Sequence, residues 1–162
     1  MKDILDKISS YNIFNYLFPG VVFAVFLNLL TDYNLLGEDL IVNAFVVYFA
    51  GLAISRFGSL VIEPILKKVS FLKFVDYSLY VSASKKDTKL ELLSEVNNTY
   101  RTLNATFILI LIIKAWTWIE FKYSHLNGSG PYLLLGLLLV MFLYSYKKQT
   151  EYVVKRVKAN SK

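Results

Sequence analysis

Four apolar runs, at about residues 11–31, 40–62, 103–121 and 131–146, most constrain what this chain can become. A helix of roughly 20 apolar residues crosses the hydrocarbon layer of a bilayer, about 30 Å thick. With 56% hydrophobic residues in 162, the composition lies above that of ordinary soluble domains. The pattern predicts an all-α, polytopic membrane protein: one membrane domain with four transmembrane helices, a basic cytosolic region at 63–102 and a helical extension at 147–162.

Charge sets the direction of these spans. Sixteen of the eighteen Lys and Arg residues fall in three segments, the N-terminus, the stretch 55–101 and the C-terminus; Lys114 and Lys122 lie elsewhere. The connection after the first span carries Asp32, Glu38 and Asp39 and no basic residue. Basic segments are retained on the cytoplasmic side, so both termini and the central region are expected there. The opening residues, MKDILDKISSYNIF, mix acids with bases and lack a small-residue cleavage site, so the first span is expected to stay in the mature protein. Ile4, Leu5 and Ile8 share one helical face there, as in a short helix lying on the inner surface or in an ordinary helix start.

Few residues break the apolar pattern. Pro19 and Gly20 predict a hinge in the first span, because proline removes one helix hydrogen bond. Asn28, Asn43, Arg56 and Lys114 are the candidates for lining a pore or a helix interface. Arg56 can instead snorkel to the inner headgroups, and Lys114 can reach the outer interface or pair with Glu38 or Asp39. Gly51, Ala53, Gly58 and Ser59 permit close helix packing and hence self-association. Glu63-Pro64 is expected to end the second span, with Pro64 as a hinge into an inner-surface helix, PILKKVSFLKF, whose lysines sit among anionic lipid headgroups. Residues 75–87 read as an irregular cap with a weak strand at 78–81. Thr88 and Glu91 match a capping box that opens one long helix running towards His125, with Trp116, Trp118 and Tyr123 as an outer aromatic belt. Pro131 is expected to start the last helix, and the exposed turn before it holds His125.

The chemistry that would name a reaction is missing. There is no cysteine, the single histidine cannot build a histidine metal cluster, and no phosphate loop, HExxH helix or nucleophile elbow occurs. Glu91 and Glu95 stand one turn apart and read as an exposed acidic face rather than a metal site. No metal, cofactor or catalytic group is therefore expected, and the chain reads as a non-enzyme. Positive charge remains. In an oligomer Lys67, Lys68, Lys73, Lys85, Lys86 and Arg101 would converge into a basic collar for a polyphosphate or short nucleic acid. Tyr77 and Tyr80 would stack on its bases, or simply cover the inner surface.

The stretches SSYNIFNYLFPGVVF, ISRFGSLVIEPILKKVSFLKF and SKKDTKLELLSEVNNTYRT resemble a group of small bacterial inner-membrane proteins. Their size and layout are similar to the membrane effectors of anti-phage defence operons, including the nucleotide-controlled channel effectors of the Hailong system. The resemblance implies a homo-oligomeric pore whose cytosolic vestibule takes a nucleotide or oligonucleotide, made by a partner nucleotidyltransferase. No motif residue carries over, so the site residues rest on charge placement. A non-conducting scaffold, using the same basic face for lipid or partner docking, is the other reading.

Overall fold

The computed structural model describes residues 13–123, 126 and 128–160. A π-helical turn, Ile13–Leu17, runs directly into α1 (Phe18–Leu30). After a connection braced by side chains comes α2 (Leu40–Phe57), then a second π-helical turn, Gly58–Ile62, and α3 (Glu63–Lys68). A short α4 (Tyr77–Ser84) precedes two long rods, α5 (Lys89–Lys122) and α6 (Gly130–Asn160). Every described element is helical. Three continuous helices, Leu40–Lys68, Lys89–Lys122 and Gly130–Ala159, are long and apolar enough to cross a membrane. The first apolar helix, Asn15–Leu30, is shorter. Its rise of about 1.5 Å per residue falls somewhat short of a full hydrocarbon layer. The expected N-terminal surface helix and His125 lie outside the described residues.

The bundle core is small and lies between α1, α2 and α5, where Phe23 and Leu27 meet Ile54, Ile62, Ala105 and Ile110. Two glycines let the first two helices approach. A Cβ on Gly20 would overlap the Val47 carbonyl, and one on Gly51 would overlap the Tyr16 backbone. Further along, Gly58 lies against Ala105 and the Arg101 stem. Thr102 and Thr106 are fully buried here, and each hydroxyl donates to the carbonyl one turn back, 2.8 Å to Asn98 and 3.0 Å to Thr102. In such contacts small or self-satisfied side chains give close packing without an orphaned polar group. By contrast, none of the apolar window of α6 is buried within the chain.

Pro19 and Pro64 each follow a π turn. Pro64 does not end the second helix, as the sequence led us to expect; Leu40–Lys68 is one rod. The wider turn Gly58–Ile62 absorbs the proline: the Glu63 N–H reaches back to Gly58, five residues away. Continuing that pattern, Pro64 would have to donate to Ser59, and it has no N–H. The freed carbonyl is used elsewhere. The inner-surface helix also ends earlier than expected, at Lys68, where Ser70 adopts a left-handed φ of 59° and Phe71 and Leu72 both donate to the Leu66 carbonyl. Residues 69–76 are therefore non-helical and leave Val69, Phe71, Phe74 and Val75 exposed.

Three further expectations change. The 78–81 segment is helix, not strand, because Ser82 and Ser84 bond back to Leu79 and Val81 and Val81 is buried. The capping box at Thr88 does not form. Thr88 is already helical, and Asp87 caps instead, its Oδ1 accepting from Lys89 N at 2.9 Å. Lys114 makes no ion pair with Glu38 or Asp39, because Asp39 is spent on capping α2, accepting from Ile41 N at 2.8 Å and Val42 N at 3.1 Å.

Candidate charged site at the basic end of the bundle

Three rods meet where the second helix passes its π turn. Glu63, whose side chain is only 9% exposed, divides its carboxylate between two cations: Oε1 accepts from Lys67 Nζ at 2.8 Å and Oε2 from Arg101 Nη1 at 2.9 Å. Lys67 follows Glu63 by four residues, one helical turn, so this contact is local. Arg101 comes from α5, across the interface that Gly58 makes thin. From α6, Lys148 Nζ donates to Ser59 O at 2.6 Å and to Ser59 Oγ at 2.8 Å. The carbonyl it binds is the one that Pro64 leaves without a backbone donor. Sequence, π turn and tertiary contact thus form one chain of cause.

Around this centre the polar and aromatic groups are ordered. Arg56 Nη2 donates to Tyr16 OH at 3.3 Å, and the Tyr16 ring stands edge-on to Tyr48 at 5.7 Å. Lys67 also sits 4.0 Å over the Phe74 ring. Tyr77 of α4 lies 6.1 Å from Tyr152 of α6, and Lys148 faces Tyr152 as well. Lys67 and Arg101 share one carboxylate, and the charges of Glu63, Arg101, Lys67 and Arg56 all act on Lys148. Arg101 Nε is buried with no hydrogen-bond partner among the described residues. A cluster with more positive than negative charge and an unused buried donor can accept an anion.

The structure brings together only part of the expected basic collar. Lys67 and Arg101 meet through Glu63. Lys68, Lys73, Lys85 and Lys86 are exposed and make no ion pair among the described residues. Within the membrane pattern, Asn43 braces its own connection, accepting from Gly37 N at 2.9 Å and donating to Gly37 O at 2.9 Å. Asn28 and Lys114 are exposed on the outside of the bundle. Of the hinge residues, Pro19 and Gly20 are buried at the crossing with α2, and Pro64 is exposed on α3.

Glu63, Ser59 and Lys148 were missed as site residues. A signal for Glu63 was present, since it is the sole acid between Asp39 and Asp76, four residues before a lysine. Nothing local pointed to Lys148, one of six cations in the C-terminal extension. No group of three or more His, Cys, Asp or Glu residues is placed to hold a metal among the described residues. An open groove of about 480 Å³ beside α2, lined by Leu17, Leu40, Ile41, Ala44, Phe45 and Tyr48, is apolar and suits a lipid chain better than a polar ligand. Comparison with protein-family models, with curated proteins and with solved structures finds no match.

Proposed function

We propose that the chain is a subunit of an oligomeric channel of the bacterial inner membrane, controlled from the cytoplasm by a phosphate-bearing ligand, and that it is not an enzyme. In this reading α1 is a fourth span, and the positive-inside rule puts both termini and residues 63–102 in the cytoplasm. The observation that carries it is the attachment of α6. This helix buries none of its apolar window in the subunit, and a lysine at its basic end is hydrogen-bonded to the π turn of the neighbouring span. A spanning helix held by so few polar contacts can be moved by whatever binds those contacts, and a ligand shifts such an equilibrium by its differential affinity for the two states. The resemblance noted in the sequence supplies the ligand class, a nucleotide or oligonucleotide from a nucleotidyltransferase partner, and the setting of anti-phage defence.

A specific observation favours the scaffold as second reading. Arg56 and Asn43, two of the four pore candidates, are hydrogen-bonded inside the subunit. Lys114 weighs on the other side, being exposed on an apolar helix where a lone cation is costly unless it meets water or a headgroup. Reconstitution into planar bilayers separates the two. The channel reading expects unitary conductance steps that change when Lys148→Gln is introduced; silent bilayers across lipid compositions and added nucleotides, with correctly inserted protein, would establish the scaffold.

A further inference from the structure

The cluster around Glu63 holds more positive charge than one carboxylate can balance, and Arg101 is its informative member. Its Nη1 donates to Glu63 at 2.9 Å while its buried Nε has no partner. A guanidinium presents Nε and one Nη as a parallel pair that fits two oxygens of a single anion. Glu63 does not occupy that pair, because it binds Nη1, the nitrogen on the Cδ side of the guanidinium, and its other oxygen is held by Lys67 at 2.8 Å. One carboxylate is stretched between two cations and completes neither. Lys148, from another helix, donates to the neutral oxygens of Ser59.

We propose that this cluster is a binding site for a phosphate oxyanion and that Glu63 is its resident occupant. A phosphate group arriving from the basic end displaces the carboxylate, takes Arg101 side-on through Nε and Nη2, and offers its remaining oxygens to Lys67 and Lys148. A tetrahedral dianion can serve all three cations at once, which a planar monoanion does not. The displacement moves more than charge. Lys148 gives up Ser59 for the ligand, so α6 exchanges an anchor on the π turn for one on the bound phosphate. The inference deepens the proposed function and rests on it for the natural ligand. The recognised chemistry is common to a soluble nucleotide phosphate and a lipid headgroup.

The test uses the full chain in phosphatidylcholine nanodiscs, titrated calorimetrically with inorganic pyrophosphate. Saturable binding is expected, weakened about tenfold in Arg101→Lys, which keeps the charge and loses the fork, and by a similar factor in Lys148→Gln. Glu63→Gln removes the competitor and should bind about fivefold more tightly. Lys122→Gln, at the far end of α5 beside Trp118, lies outside the cluster and should stay within about twofold of the parent. Repeating the titration with phosphatidylglycerol present distinguishes the sources. Weakening in the parent that disappears in Arg101→Lys identifies the headgroup as natural occupant, and unchanged affinity identifies a soluble phosphate; either supports the site. Binding that survives both Arg101→Lys and Lys148→Gln, or is weakened as much by Lys122→Gln, overturns it. So does a parent that conducts but binds no pyrophosphate, which leaves the channel reading intact. Binding with the expected variant pattern in a protein that never conducts keeps the site and removes the channel.

Discussion

Lys148 of α6 binds both oxygens of Ser59, and the carbonyl among them is free because Pro64 follows five residues later without an N–H. A covalent feature of one helix thereby determines where another helix attaches. Pro64→Ala restores a backbone donor that competes with Lys148 for the Ser59 carbonyl, and Lys148→Met removes the tie outright. Both should loosen α6 while leaving the packing of α1, α2 and α5 intact. The chain has no cysteine, so spin labels at Leu29 and Leu137 can be introduced cleanly. Electron–electron distance measurements should show a broadened distribution in both variants; a distribution as narrow as the parent's would mean that lipid packing, not Lys148, positions the helix.

The reciprocal crossing of Gly20 and Gly51 should be the least tolerant place in the fold. Any Cβ there meets the opposite helix's backbone, which cannot rotate away as a side chain can. Gly51→Ala is expected to cost about 2–3 kcal/mol through forced separation of the helices. The same change at Gly136, where a Cβ meets nothing within 4 Å, should be neutral or slightly stabilising. Thermal unfolding in mild detergent compares the two, and equal losses would contradict the crossing.

Glu63 offers a separate stability test. Glu63→Ala leaves Arg101 and Lys67 facing each other without their shared counter-ion, and removing one partner of a buried pair costs roughly 3 kcal/mol. Adding Arg101→Leu should restore part of that loss, since the orphaned charge goes with it. A double variant no more stable than Glu63→Ala would mean that the pair does not carry the effect.

At the opposite end, Tyr33 OH donates to Glu120 Oε2 at 2.7 Å and ties the first connection to α5. That hydrogen bond, then partial burial, then the charges of Glu120 and Asp32, push the phenol up to about 12. A folded value above the unfolded one, about 10, means that the tie contributes fully below pH 10 and is lost as pH rises through about 12. Spectrophotometric titration at the tyrosinate band, taken as parent minus Tyr33→Phe, should show this late transition. A difference curve centred near the ordinary tyrosine value would show that the tie does not form in the bilayer.

How far the sequence led can be read from these same residues. The α5 rod was legible because no proline or glycine interrupts it, and α6 because its helix pattern continues past the apolar run. The Glu63 and Lys67 contact follows from their spacing of one turn. Lys148 and Ser59, 89 residues apart, carry no such local mark. The π turns escaped because hydrophobic periodicity is blind to a single wide turn, so prolines that looked like breaks proved to be compensated. The small residues were recognised as contacts but assigned to the wrong partner: Gly51 and Gly58 face Tyr16 and Ala105 of their own subunit.

That reassignment moves the expected surface of self-association. With Gly51, Gly58 and Ser59 engaged within the chain, α6 is the long apolar helix whose apolar window stays unburied, and Gly136 on it is open to close approach. Leu133, Leu137 and Val140 are exposed around that glycine and would pack against a second copy. Lipid covers a leucine surface equally well in energy, so association must come from shape and from small residues that admit a neighbouring backbone. A cysteine at Gly136 should therefore give disulfide-linked dimers or larger species in membranes on mild oxidation, whereas one at Phe23, buried in the core of the subunit, should give none. Glycine to leucine at position 136 should reduce the oligomer in mild detergent without lowering the amount of inserted protein. If the parent runs as a monomer in detergent and in nanodiscs at every concentration, and the cysteine at Gly136 does not cross-link, α6 faces lipid and the oligomeric channel is lost with it.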